Sequence, residues 1–464
     1  MTIGWILTHI GLMLGFLFAV VLIAHVLTQK RPPSGTIAWL LAILLMPYIG
    51  VPLYLFLGGR KTRKTAERKD AIGLGNLNQP SPQNTPFTDQ LLQTYNIPPA
   101  SGGNTVELCT TGTQTWAKLI EMISRAQKSI FISTFLFHTD TVGREILALL
   151  TQKAADGIAV RLLMDGVGSL HTRTRFLDPL LTAGGRYAFF IPVLHRPFRG
   201  RTNLRNHRKT VITDYSTVLA GGTNIGAEYI GPQPDPGRWQ DLSFVLTGPA
   251  VEHYLQIFRS DWKFASGEHL EISSTDRPAQ QPDYTGDAVV QVAPSGPDVP
   301  NDPLYDAFLS IIYAAKSRLW IVTPYFVPDE SLANALKLAV RRGVDVRIIV
   351  PLKSNHPVAD IVRGVYLRDI QSVGANILLY NRGMIHAKAL LMDDKLAMVG
   401  SANIDIRSLL LNYEMTMMMY SPAQIEQIRL WMLSLVPDCI QKPLRASFAR
   451  NLFENTVRLF SPLL

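Results

Sequence analysis

The chain has 464 residues, 47% of them hydrophobic, enough for two or three domains around a large buried core. It carries 45 Lys plus Arg against 36 Asp plus Glu, an excess that favours anionic partners: nucleic acid, an acidic membrane surface or phosphorylated substrates. Only Cys109 and Cys439 are present, far apart and without metal-ligand spacing, which speaks against a disulfide framework or a zinc site and fits a reducing compartment.

The apolar bias is concentrated at the start. Between Trp5 and Leu27 there is no Asp, Glu, Lys or Arg, and a second apolar run covers Thr36 to Gly58. Each approaches the ~20 residues a helix needs to cross a bilayer's hydrocarbon. The first run lacks a basic n-region and exceeds a typical h-region, so an uncleaved anchor is expected in preference to a signal peptide. Pro47 and Pro52 should kink the second run, which then lies partly in the interface. His9 and His25 read as satisfied or interfacial. Lys30 and Arg31 lie between the runs, and Arg60, Lys61, Arg63, Lys64, Arg68 and Lys69 follow them. The positive-inside rule therefore places the remainder in the cytoplasm, below a multi-pass membrane anchor, with the basic run free to meet anionic headgroups.

Residues 61–104 read as a basic juxtamembrane segment and a linker rich in Asn, Gln, Pro, Ser and Gly, and residues 273–303 as a second linker. They delimit an anchor (1–60), a first half (105–272) and a second half with a C-terminal helix (304–464). The halves resemble each other. "WAKLIEMISRAQKSIFISTFLF" matches "YDAFLSIIYAAKSRLWIVTPYF", and "ALLTQKAADGIAVRLLMDG" matches "ALKLAVRRGVDVRIIVPLK": each pair is a helix followed by a buried strand. Helices alternating with β-branched strands predict an α/β sandwich around a parallel or mixed sheet.

A motif repeats with the halves. "NLRNHRKTVITD" holds His207, Lys209 and Asp214, and "GMIHAKALLMDD" holds His386, Lys388 and Asp393 at the same spacing. Ten positions after each aspartate stands an asparagine in a small-residue cluster, Asn224 in "GGTN" and Asn403 in "GSAN". One such match would be a surface histidine on a basic loop; two, at corresponding places in a repeat, are a site. On a strand, residues two apart share a face, so each His projects with its Lys, while Arg208 and Thr210 face away. Asp214 and Asp393 complete the candidate catalytic set but fall in turns, where they should hold local structure and assist electrostatically. If the halves pack about a pseudo-twofold, two ammonium groups and two amides converge on one phosphoryl group, and two imidazoles suit an in-line displacement. Asp241 and Glu414, each following its own motif, are the candidate histidine orienters. No metal or other cofactor is expected.

HxKxxxxD occurring twice, each time followed by a Gly-rich cluster and Asn, resembles the phospholipase D superfamily over roughly residues 107–464. "GGTNIGAEYIG", "WQD", "TPYFVPDE", "GSANIDIRSL" and "LNYE", behind "RPPSGTIAWLL" and "MPYIGVPLYLFLG", are similar to the bacterial cardiolipin synthase family. The resemblance implies two phospholipase D-like α/β sandwich halves related by a pseudo-twofold and preceded by an N-terminal transmembrane helical hairpin. It implies phosphatidyl transfer between two phosphatidylglycerol molecules, giving cardiolipin and glycerol. His207 would become the phosphatidyl-histidine and His386 would act as general acid, then base. Lys209, Lys388, Asn224 and Asn403 would hold the phosphate. Phosphatidylglycerol and anionic membrane lipids are then the partners, and nucleic acid is not expected. Open alternatives are phospholipase D hydrolysis, phosphatidylserine synthesis, nuclease activity, or a tethered lipid-binding protein without turnover; oligomeric state is open as well.

Two smaller features carry expectations. Five arginines between Arg196 and Arg208 make either a solvated basic face or a headgroup-recognition surface. Phe453, Val457 and Phe460 stand at helical spacing and are expected to pack against the domain, with membrane-surface docking the lesser reading. His138, His171, His195, His253, His269 and His356 are read as structural or surface.

Overall fold

The computed structural model describes residues 3–28, 33–57, 69–70, 72, 74, 87–191, 204–272 and 285–458. The chain divides into two compact units, Met1–Thr65 with Leu194–Asn203, and Ala66–Val193 with Leu204–Leu464.

In the first unit the leading apolar run is one helix, Ile3–Thr28, without an acidic or strongly basic side chain. The second run forms two helices, Pro33–Leu45 and Pro47–Leu57. Pro47 brings no N–H to continue the earlier helix, and its fixed φ suits the first turn of the next. At ~1.5 Å per residue these pieces are ~20 and ~17 Å long, short of the ~30 Å of bilayer hydrocarbon, so the second run does not cross as one helix. Among the described residues no helix is long and apolar enough to cross a membrane; in Ile3–Thr28 the side chains are described without interruption only from Gly15 onward. Leu22, Val26, Ile43 and Tyr54 form the unit's small core, and the Tyr54 ring meets Trp39 edge-on at 5.2 Å.

The second unit carries the repeat. The first half is built on a seven-stranded sheet ordered Thr105–Cys109, Ser243–Thr247, Thr217–Gly221, Thr210–Thr213, Ser129–Thr134, Ala159–Asp165, Arg186–Phe190. The second half reproduces this order as Gly286–Ser295, Glu414–Met419, Leu396–Gly400, Ala389–Met392, Arg318–Val322, Asp345–Pro351 and Asn376–Tyr380, with Ser101–Gly103 and Cys439–Ile440 added at its edges. In both, the last three strands of that shared order are parallel and the others antiparallel. The matched sequence segments occupy matching elements. Helices Thr141–Ala155 and Glu330–Arg341 each end one residue before a turn that reaches Gly157 at φ 87° and Gly343 at φ 86°. An L side chain would be strained there, which is why glycine punctuates both copies.

Each half has its own outer core, and a further core lies between the two sheets, where helices Val251–Ser266 and Pro422–Leu435 contribute Phe258, Trp262, Ile428 and Trp431. Both faces of the sheets are therefore covered, which accounts for strands that read as continuous apolar runs.

Both expected linkers are shorter than the composition suggests. Within 61–104, Phe87–Gln93 is a helix whose Asp89 accepts from the Ala100 N–H at 2.8 Å, and Ser101–Gly103 pairs with the second half's sheet. Within 273–303, Gly286–Ser295 is a ten-residue strand of that sheet. Asn96, Pro98, Pro99, Pro300 and Asn301 stand in the connections beside these elements, and short buried segments carry too little periodicity to stand out from them. Most of the basic run lies outside the described residues, but Lys69 is buried between Asp261 and Asp298 and is not free for headgroups. The C-terminal helix Phe448–Arg458 also departs from expectation, because Phe453 faces solvent; Phe460 lies outside the described residues.

Candidate active site

The two motifs meet because each half lends backbone to the other. Asn206 bridges to Tyr413 and Gln240 bridges to Ile385, both in parallel sense. The His207 N–H donates to the Tyr413 carbonyl at 2.9 Å, and the His386 N–H to the Gln240 carbonyl at 2.7 Å. Each motif histidine thus lies beside the residue that precedes the other half's candidate orienter. That reciprocity is the signature of a twofold relation between like halves.

The carboxylates are consequently crossed. Glu414, of the second half, reaches His207 Nδ1 at 3.0 Å, and Asp241, of the first, reaches His386 Nδ1 at 2.7 Å. The Ser401 carbonyl also lies 3.0 Å from His207 Nδ1. A carbonyl can only accept, so Nδ1 of His207 carries the proton and Nε2 the lone pair. For His386 the Asp241 carboxylate does the same: burial works against its charge, but His386 and Lys388 outweigh burial and hold the acid below its usual range. Lys388 Nζ lies against the same ring, 2.8 Å from Nδ1 and 3.0 Å from the unprotonated Nε2.

The orienting pairs are not identical. Ser401 Oγ donates to Glu414 at 2.5 Å. The corresponding residue in the first half is Gly222, where an added Cβ would stand 2.3 Å from Asp241 Oδ1. Glycine there makes room for the shorter carboxylate.

All four basic groups of the motifs are buried. Burial drives the His207 imidazole toward its neutral form, against the pull of Glu414 and with the push of Lys209 and Lys388. Burial, then the Lys388 ammonium, depress His386 to about 3. Lys388 is lowered to about 8, chiefly by burial, while Lys209 falls well below its usual value for the same reason, opposed by Glu414 and Asp241 and aided by Lys388. Charged groups of both halves therefore act on one another at short range, as a shared site requires. The Lys209 Nζ donates to the His207 carbonyl at 2.7 Å. Aromatic rings wall both imidazoles: Phe135 meets His207 at 5.1 Å, and Tyr229 meets His386 at 5.2 Å, both edge-on. Asn224 and Asn403 are buried, each with an Oδ1 that has no hydrogen-bond partner among the described residues. Asn403 Nδ2 donates to Ser408 Oγ at 3.2 Å, and a hydroxyl could equally serve the inverted amide.

Asp214 and Asp393 do not join the site. Both occupy turns at φ 50°. Asp214 accepts from the N–H groups of Gln127, Lys128 and Ser129, and Asp393 from those of Lys316, Ser317 and Arg318. They tie the turn before the Ser129–Thr134 and Arg318–Val322 strands to the far ends of Thr210–Thr213 and Ala389–Met392, strands that begin one residue after each motif lysine, so the His-Lys pairs precede the strands on which the spacing had placed them. The arginine stretch also differs from expectation: residues 192–203 lie outside the described residues, but Arg205 and Arg208 are buried, not a solvated face. Arg208 points away from His207, as the strand alternation predicts, and pairs with Asp261 at 2.8 Å and Asp298 at 2.9 Å beside Lys69. Its Nε donates to the Glu414 carbonyl at 3.1 Å, so this cluster braces the backbone of the carboxylate that holds His207. Sequence reasoning missed Asp261 and Asp298 because neither sits in a repeated motif.

Comparison with known proteins gives a consistent picture. Residues 119–262 and 308–436 match a family described as "Cardiolipin synthase, PLD-like domain", and residues 17–59 match "Phospholipase_D-nuclease N-terminal". The chain is 34% identical over 441 residues to the major cardiolipin synthase ClsA of Bacillus subtilis (strain 168), covering 90% of each protein. It is 32% identical over 463 residues to cardiolipin synthase 1 of Bacillus anthracis, covering 94% of this chain and 90% of that one. In fold it resembles phosphatidylserine synthase of Haemophilus influenzae Rd KW20, with a TM-score of 0.62 and 17% identity over 81% of this chain and all of that one.

Proposed function

The chain belongs to the cardiolipin synthase family of phospholipase D-like proteins, and from that membership we propose that it is a membrane-anchored phosphatidyltransferase joining two phosphatidylglycerol molecules into cardiolipin and glycerol. The observation that carries the mechanism is the crossed pairing, in which each Nδ1 is held by a carboxylate of the other half and each Nε2 is left to react.

In the first step His207 Nε2 attacks the donor's phosphorus, the bond from phosphorus to the glycerol headgroup oxygen breaks, and His386 gives that oxygen a proton. In the second, His386 takes the proton from a hydroxyl of the acceptor phosphatidylglycerol, the new P–O bond forms, and the P–N bond to His207 breaks. The proton lent by His386 returns to it, so the cycle balances. His386 is neutral in the empty site. A phosphodiester anion between Lys209 and Lys388 offsets the ammonium charges that depress the imidazole and so favours the protonated acid. Lys209, Lys388 and the Asn224 and Asn403 amides hold the non-bridging oxygens. The charge-free helix Ile3–Thr28 anchors the protein in the inner membrane, with the catalytic unit cytoplasmic.

Purified protein in detergent–lipid mixtures with phosphatidylglycerol and EDTA tests this directly. Cardiolipin and free glycerol are expected in equal amounts. Phosphatidic acid with glycerol would make water the acceptor and the protein a phospholipase, and binding without product would leave a lipid-binding protein.

The pH dependence follows from Lys388. Its ammonium form is present below about 8 and lost above it, against an ordinary value of 10.5. For the free enzyme, in which His386 has to gain a proton for the first step, kcat/KM is expected to fall with pH already below that value, and above it to fall by about a further tenfold per pH unit. A profile with no added slope up to pH 10 would remove Lys388 from phosphate binding.

A further inference from the structure

The C-terminal helix Phe448–Arg458 docks on the protein by its polar face. Glu454 is 1% exposed and is bound by the guanidinium groups of Arg368 and Arg450. Asn451 accepts from Arg368 at 2.8 Å, and the Arg458 guanidinium lies 5.8 Å from the Tyr366 ring centre. The apolar face is turned outward, with Phe448 85%, Leu452 60% and Phe453 57% exposed. An ordinary surface helix is oriented the other way. Rotating this one to bury the phenylalanines would carry Arg450 along but pull Glu454 off Arg368, which belongs to Pro357–Ser372, so the Arg368–Glu454 pair holds the apolar face outward.

Charge identifies what covers that face. No acidic residue occurs from Cys439 to Phe453, while Lys442, Arg445 and Arg450 are all exposed. Aromatic and aliphatic side chains on one face, flanked by basic ones, suit the boundary between acyl chains and anionic headgroups. The helix also runs antiparallel to Pro357–Ser372: Gln371 donates to the Lys442 carbonyl, and Gly364 lies against Glu454. Its C-terminal end thus points toward His356, which packs on Tyr325 at 5.2 Å, and Tyr325 lies within electrostatic reach of Tyr229, whose ring walls His386.

We propose that Phe448–Arg458 lies in the surface of an anionic bilayer, with Phe448, Leu452 and Phe453 among the acyl chains and Lys442 and Arg445 against the phosphates. This contact is separate from the N-terminal anchor and sets the catalytic unit against the lipid it consumes; that consequence rests on the phosphatidyltransferase reading above.

Two measurements on the full chain test it. In vesicles of phosphatidylglycerol and phosphatidylethanolamine, a spin label at Leu452→Cys in a Cys439→Ser background is expected to collide more with oxygen than with an aqueous nickel chelate. The same label at the exposed Lys395→Cys should show the reverse. A nickel-favoured Leu452 label would overturn the proposal, as would one shielded from both reagents, since a second copy or another part of the protein would then cover the face. The triple variant F448S/L452S/F453S is expected to lose about tenfold or more of transfer on vesicles and to match wild type on monomeric short-chain phosphatidylglycerol. Equal rates on vesicles would overturn the proposal, and loss on both substrates would assign the face to folding instead. Absence of turnover by the wild type on either substrate would sink the phosphatidyltransferase reading alone, because the spin-label result does not depend on catalysis.

Discussion

His386→Ala is expected to slow transfer from phosphatidylglycerol by about 10²–10⁴-fold, the usual contribution of a general acid, yet to react readily with a phosphatidyl ester of p-nitrophenol. Nitrophenolate leaves without a proton, so the missing acid is not needed in the first step. The missing base stalls the second, because nothing deprotonates the acceptor hydroxyl. One nitrophenolate should be released per active site, with the phosphatidyl group retained on His207 and recoverable by mass spectrometry of the digested protein. His207→Ala should release none from either substrate. The near-symmetry of the halves makes this a strict test: accumulation on His386 in a His207→Ala protein would exchange the two roles, and a burst from both variants would place the nucleophile elsewhere.

The second large effect follows from the crossed carboxylates. Glu414→Gln should reproduce the His207 defect, a slow burst with either leaving group, although Glu414 lies in the other half of the chain. Asp241→Asn should reproduce the His386 defect and be rescued by nitrophenolate. Each loss is expected at about 10²–10⁴-fold in kcat with little change in KM, since the carboxylate fixes a tautomer and steadies a developing imidazolium without binding the substrate. The amide replacements preserve volume, and Glu414 keeps Ser401 as a donor at 2.5 Å, so the folded state should survive. Burst amplitudes and rates for the two variants on the two substrates give a four-way comparison. Impairment of the nitrophenyl burst by Asp241→Asn in place of Glu414→Gln would mean that each carboxylate serves its own half.

The internal repeat was legible because its elements carry strong local signals. Long apolar strands, amphipathic helices and the glycines at 157 and 343 recur at matched positions, and backbone geometry alone demands them. The motif residues were legible for a related reason: alternation along extended backbone turns Arg208 away from His207 toward Asp261, although the His-Lys pairs stand just before the strands Thr210–Thr213 and Ala389–Met392 and not on them. Asp214 and Asp393 share the motif but not the site, as their odd spacing from the lysine already implied. The inverted C-terminal helix was harder to read, because helical spacing reports that a helix has two faces and not which one the protein covers.

By itself, then, the sequence determined the repeated α/β halves, the His-Lys pairs and their paired asparagines, since each depends on periodicities of two or 3.6 residues within a single element. Only the tertiary structure decided which carboxylate holds which histidine, that Lys69 and Arg208 are locked against Asp261 and Asp298, and that Glu454 turns an apolar face outward. These partners lie from 53 to 229 residues apart in the chain, apart from the pairs within Phe448–Arg458. No local rule links residues so distant; the burial of charge links them, because a buried ion must find its counterion wherever the fold brings one.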